Sequence, residues 1–207
     1  MVIGVALNFA SEISGLATPP KAPVLYIKPA NTLTSHLSPV LHPDGVPAIQ
    51  PGPSLAVVMG RGARRVPREK AFDCVKGYTL LNDFSLKEES QFRPPVRTKC
   101  FDSFGPLGPA VLSRDRVTDP YDVTLRCRVN GELRQEGSTR DLVWRIPELI
   151  EVITSFMTLD EDDAIALGVP PGRVDVVAGE TVTVEAVGFL ELTNAVVTES
   201  EYRRKEP

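Results

Sequence analysis

The chain has 207 residues, 42% apolar and 24% charged, which is a globular balance and not a disordered one. Its apolar runs are short, such as residues 55–59, against the roughly 18 residues that a membrane span needs, so no membrane partner is expected. The net charge is −4 with scattered basic residues, which argues against nucleic acid as a partner.

No basic segment precedes an apolar stretch at the N-terminus, so no signal peptide is read there. Three cysteines, Cys74, Cys100 and Cys127, lack metal spacing and form an odd set. That pattern fits free thiols in a reducing, cytoplasmic compartment.

Nineteen prolines and fifteen glycines cut the chain into short pieces, which favours strands joined by turns. Residues 2–7 and 24–27 read as strands, with a loop at Thr18-Pro19-Pro20-Lys21 between them. Residues 38–53, rich in proline, read as irregular surface. Residues 55–59 read as a buried strand. Residues 67–75 read as a short helix, with Pro67 in its first turn and Gly77 beyond its end. A strand follows over 78–82. Gly105 to Pro109 reads as a rigid turn; it lacks the Lys-Ser/Thr ending of a phosphate cradle. Asn130-Gly131 between two β-prone runs, 123–129 and 132–135, predicts a type I′ hairpin. Residues 147–157 form the best helix, with Leu149, Ile150, Ile153, Phe156 and Met157 on one face. Residues 181–187 alternate, with Val182, Val184 and Ala186 facing one way. The fold class is α+β, mostly β, in one domain over 1–207.

Five segments in order carry a resemblance. They are residues 26–33 (Tyr-Ile-Lys-Pro-Ala-Asn-Thr-Leu), residues 55–60, and residues 77–83, which end in Asn82-Asp83. Residues 99–109 follow, and Val129-Asn130-Gly131-Glu132 with residues 138–142 complete the set. This order resembles the fumarylacetoacetate hydrolase family over nearly the whole chain. The resemblance implies a mixed β-sandwich or β-roll with few short helices. Residues 85–94 with Lys99-Cys100 carry a closer resemblance, to the N-terminal half of the isomerase/decarboxylases of 4-hydroxyphenylacetate (homoprotocatechuate) breakdown. Those halves occur fused or as separate subunits. The implied chemistry is decarboxylation of 5-oxopent-3-ene-1,2,5-tricarboxylate and isomerisation of 2-hydroxyhepta-2,4-diene-1,7-dioate.

Such substrates carry a 2-oxo acid or its enol, which a divalent cation (Mg²⁺ or Mn²⁺) chelates as a Lewis acid. The resemblance places the family's metal ligands at 52, 54 and 83. Here Gly52 and Ser54 replace the usual glutamates, and Asp83 alone is retained. The expected metal site is therefore weak or absent. Glu12 stands where relatives carry a histidine base, and Gly15 where its glutamate partner stands. Glu88, Glu89 and Asp102 are candidate substitute acids. Catalytic candidates are Lys99, Asp83 and Glu12. Candidate substrate contacts are Lys87, Arg93, Gln135, Ser138 and Thr139. His36, His42 and Cys100 read as structural.

Three functions follow. The chain is a subunit of the isomerase/decarboxylase, or a non-catalytic subunit supporting a homologous C-terminal-type active partner, or a metal-free enol–keto isomerase. The expected ligand is a dicarboxylate or tricarboxylate, and the expected assembly a dimer or higher oligomer.

Overall fold

The computed structural model describes residues 1–87 and 94–204. In chain order the strands are β1 (Val2–Ala6), β2 (Val24–Lys28), β3 (Leu33–Thr34), β4 (Val40–His42), β5 (Pro53–Met59) and β6 (Val75–Asn82). They continue with β7 (Gly105–Ser113), β8 (Thr124–Val129), β9 (Glu132–Ser138), β10 (Ala164–Ala166), β11 (Thr181–Ala186) and β12 (Leu192–Thr198). The helices are α1 (Ala10–Ile13), α2 (Val96–Lys99), α3 (Ile146–Phe156) and α4 (Glu199–Arg203). Seven strands form one mixed sheet in the order β2-β1-β10-β5-β6-β7-β3, and five form another in the order β4-β12-β11-β8-β9. The expected mostly β class with few short helices is what the chain adopts.

The run at 55–59 forms β5, buried at every position. A strand covered on both faces needs apolar residues without alternation. Leu55, Val57 and Met59 join Leu149, Ile150 and Ile153 of α3 in one core. Ala56 and Val58 join Ala164 and Ala166 in another, on the opposite face. Cys127, Val129, Val182 and Val196 of the five-stranded sheet pack with Phe84 and Phe104, beside the loop that follows β6.

The predicted hairpin is present, with Asn130 at φ 51° and Gly131 at φ 85°. Two consecutive positive φ angles are what a type I′ turn requires. In β11, Val182, Val184 and Ala186 are buried as the alternation implied.

Four expectations need correction. The segment 67–75 is a 3-10 helix over Arg68–Cys74, and Val75 already begins β6. The segment 38–53 is not all irregular surface: β4 pairs parallel with β12, and Val40 and Ile49 are fully buried. The stretch Gly105 to Pro109 opens β7 and pairs with both β3 and β6, so it is strand and not turn. In α3 the apolar face ends early: Phe156 is 61% exposed. Among the described residues no helix is long and apolar enough to cross a membrane.

Candidate functional site

The site forms where one end of the seven-stranded sheet meets the loops after β6 and β10. β2 contributes Tyr26 and Lys28, which share a face because strand side chains alternate. That face is inverted relative to simple hydropathy: Lys28 is fully buried, while Ile27 between them is 48% exposed. Gly4 of β1 sits opposite Tyr26 in the register. A Cβ at Gly4 would lie 2.0 Å from Tyr26 Cζ, so glycine lets the tyrosine ring cross β1.

Asp83 follows β6 and is fully buried. Its Oδ2 accepts from the Tyr26 hydroxyl at 2.6 Å, from Lys99 Nζ at 2.8 Å and from Arg173 Nη2 at 3.1 Å. Lys28 Nζ lies 3.0 Å from Oδ1. That ammonium directs hydrogen bonds to the carbonyls of Phe84 (3.0 Å), Lys99 (2.9 Å) and Phe104 (2.9 Å). A lysine ammonium has three donors, so Oδ1 meets the charge of Lys28 and not a directed bond. Lys99 Nζ also stands 4.7 Å from the centroid of the Tyr26 ring, in cation–π range.

The electrostatics follow from this crowding. Burial alone would raise the Asp83 pKa, but Lys99, Lys28 and Arg173 together hold it well below the usual carboxylate range. Burial lowers the Lys99 pKa most. Asp83 pulls it back up, Arg173 and Lys28 push it down, and the result is about 8. Burial also lowers that of Lys28.

A cleft of about 650 Å³ opens onto this cluster. Val5, Val24, Leu25 and Val169 supply apolar wall, Tyr26, Asp83, Lys99 and Arg173 gather at one end, and Glu12, Gln50, Ser85 and Lys87 make the rest of the lining polar. A concave site of this size with convergent polar groups suits a small polar molecule.

The structure brings some of the predicted residues together. Asp83, Lys99, Lys87 and Glu12 all line the cleft. Lys87 is exposed there. Glu12 accepts from the backbone N–H of Phe9 at 3.2 Å, as a cap on the short α1. Gln135, Ser138 and Thr139 do not line the cleft and hold loops instead. The Gln135 amide donates to the carbonyls of Pro170 (2.6 Å) and Pro171 (3.3 Å). Ser138 Oγ accepts from the Arg140 N–H. Thr139 Oγ1 accepts from the Val123 N–H at 2.9 Å. Arg93, Glu88 and Glu89 lie outside the described residues. Asp102 accepts from the Asn31 amide at 2.7 Å and is not part of the cleft. His36 accepts from the Thr193 N–H, and His42 faces the Pro43 carbonyl. Burial pushes the half-buried Cys100 thiol up, so its neighbour Lys99 does not make it a thiolate.

Three residues around Asp83 are not among the candidates that the sequence offers: Tyr26, Lys28 and Arg173. The alternation of Tyr26 and Lys28 within β2 was a usable signal for two of them. Nothing local marks Arg173, which is 90 positions from Asp83.

The residues at 52, 54 and 83 do not fit a divalent cation. Asp83 already faces three cations. Ser54 is fully buried, and its hydroxyl points to the Leu55 carbonyl. Gly52 offers no side chain. Among the described residues no group of three or more His, Cys, Asp or Glu side chains is placed to hold a metal ion.

Residues 1–197 match the family model described as fumarylacetoacetate (FAA) hydrolase C-terminal, and the chain belongs to that family. It is 42% identical to the 4-hydroxyphenylacetate degradation bifunctional isomerase/decarboxylase of Salmonella dublin, over 96% of this chain and 47% of that protein. The chain thus spans about half the length of that curated relative. The structure of 2-hydroxyhepta-2,4-diene-1,7-dioate isomerase from Mycobacterium marinum matches with a TM-score of 0.84 at 30% identity, covering 96% of this chain and 74% of that one. Maleylpyruvate hydrolase from Sphingobium sp. SYK-6, in complex with manganese(II) and pyruvate, matches with a TM-score of 0.81 at 32% identity, covering 95% of this chain and 70% of that one.

Proposed function

We propose that this member of the family acts on a 2-hydroxydienoate or 2-oxo dicarboxylate, as one half of an isomerase/decarboxylase system of the 4-hydroxyphenylacetate type. The step its own residues support best is enol–keto isomerisation. The carrying observation is the cleft that ends on Lys99, Arg173, Tyr26 and Asp83. Its apolar walls suit a diene, and its cationic end suits the carboxylate and the oxygen beside it.

Isomerisation of 2-hydroxyhepta-2,4-diene-1,7-dioate removes the proton of the 2-hydroxyl and adds one at the far end of the diene. The oxygen carries negative charge in between, and positioned cations stabilise it. Lys99 faces the cleft with a pKa of about 8, which suits proton transfer near neutrality. Asp83 stays ionised and holds Lys99 and Tyr26 in place.

The test is turnover of 2-hydroxyhepta-2,4-diene-1,7-dioate by the purified chain, with Mg²⁺ and then with EDTA. Turnover that survives EDTA and falls in Lys99→Ala is the expected result. Absence of turnover in both conditions would overturn the reading in favour of a subunit that only supports an active homologous partner.

A further inference from the structure

Arg173 reaches from the loop after β10 into the space beside Gly52. An ideal Cβ on Gly52 would lie 2.7 Å from the Asp83 carbonyl oxygen, 2.8 Å from Val169 Cγ2 and 2.9 Å from Arg173 Nη1. A side chain at 52 is barred first by the Asp83 carbonyl and Val169, and it would also crowd the guanidinium. Glycine at 52 and arginine at 173 form one device: the position that could extend an acid toward Asp83 is emptied, and a fixed cation stands there.

The guanidinium is held in place before any ligand arrives. Nη1 donates to the carbonyls of Gln50 (3.4 Å), Pro51 (3.3 Å) and Asp83 (2.9 Å) and to Ser85 Oγ (3.2 Å). Nη2 donates to Asp83 Oδ2 at 3.1 Å. These bonds occupy both Nη1 hydrogens and one on Nη2, so donors remain among the five of an arginine that lines the cleft. The loop carrying Arg173 is tied to the five-stranded sheet through Gln135 and its bonds to Pro170 and Pro171.

Lys28, Lys99 and Arg173 all pair with Asp83. Among the described residues no second carboxylate lies in ion-pair range of any of the three. Among the described residues, three cations on one carboxylate leave two positive charges without a paired anion, and charges away from bulk water attract an anion more strongly than the same charges would in it.

We infer that the cleft is a built anion site that takes a carboxylate with an adjacent oxo or enol oxygen directly on Arg173 and Lys99, and that it needs no divalent cation to do so. Arginine suits this task because its planar fork matches a carboxylate in two directed bonds. The choice of a 2-oxo acid as ligand class rests on the proposed function. The binding claim does not, because it is read without turnover.

The experiment is calorimetric titration of the full chain with oxalate, after dialysis against EDTA. Oxalate is a rigid mimic of a carboxylate beside a second oxygen. The expected result is saturable binding of one oxalate per chain in EDTA. A second titration, with Mn²⁺ alone and followed by electron paramagnetic resonance, is expected to show the free-ion signal undiminished. Arg173→Gln should weaken oxalate about tenfold or more. Where that variant fails to fold, Arg173→Lys carries the test: it keeps the charge, loses the fork, and should still bind measurably more weakly.

Three outcomes would overturn the inference: oxalate binding only when Mg²⁺ or Mn²⁺ is added, no oxalate binding in any condition, or wild-type affinity in the folded Arg173 variants. Metal-free oxalate binding without diene turnover would leave this inference standing and remove the proposed reaction. Diene turnover with metal-dependent oxalate binding would do the reverse.

Discussion

The two sheets treat charge in opposite ways. On the five-stranded sheet, Arg126 pairs with Glu136 at 2.6 Å at the surface and Arg128 with Glu185 at 3.0 Å in a partly buried position, one cation to one carboxylate. At the end of the seven-stranded sheet, three cations share Asp83, and the side chains of Lys28 and Asp83 are 0% and 1% exposed. Exposed pairs are screened and contribute little. A buried, uneven cluster is different: desolvation opposes it, and it persists only through its geometry and its hydrogen bonds. A surface strand tolerates charge by pairing it. Among the described residues, the Asp83 cluster holds three cations on one carboxylate, which is what an anionic ligand can use.

The largest effect should come from breaking the buried side of that comparison. Asp83→Asn leaves three cations facing one another without their anion. A loss of about 3–5 kcal/mol of stability is expected, seen as a lower urea midpoint. An unchanged midpoint would mean that the cluster is not a tight buried centre.

Next in size is Gly4→Ala. Its Cβ would meet the Tyr26 ring at 2.0 Å, so the ring or β1 must shift, at a cost of about 1–3 kcal/mol. The Tyr26–Asp83 hydrogen bond should be lost with it, and a crystal structure of the variant would show whether the hydroxyl still reaches the carboxylate.

A smaller effect concerns pH. Lys99 binds an anion as the ammonium, and its pKa is lowered to about 8. Its charge is therefore present below pH 8 and lost above it. Oxalate affinity should fall as pH rises through about 8, several-fold and not completely, because Arg173 keeps its charge. Calorimetric titrations on both sides of pH 8 check the sign; affinity that rises with pH would contradict the role given to Lys99.

The smallest effect is expected at the surface. Arg126→Gln removes one partner of an exposed pair and should leave the urea midpoint unchanged. A clear drop there would erase the contrast between the two sheets.

Much of the fold was legible because its signals are local. Asn130-Gly131 dictates positive φ angles within two residues, and the hairpin follows. The unbroken apolar run at 55–59 announces a strand buried on both faces. Phe156 was misplaced because helical periodicity gives a face and not the extent of what covers it. The sequence offers Gln135 and Thr139 as substrate contacts, yet in the fold Gln135 donates to the Pro170 carbonyl and Thr139 accepts from the Val123 N–H.

The sequence by itself determined the β-rich class and the family, and its resemblance to that family implied acids at the positions that hold Gly52 and Ser54. It also singled out Asp83 and Lys99. Only the tertiary structure decided what surrounds them. Lys28 lies 55 positions before Asp83 and Arg173 lies 90 after it, and no local pattern couples positions so far apart. The physical reason is that the cost of burying a charge depends on the groups within a few ångströms of it, and folding alone assembles those groups.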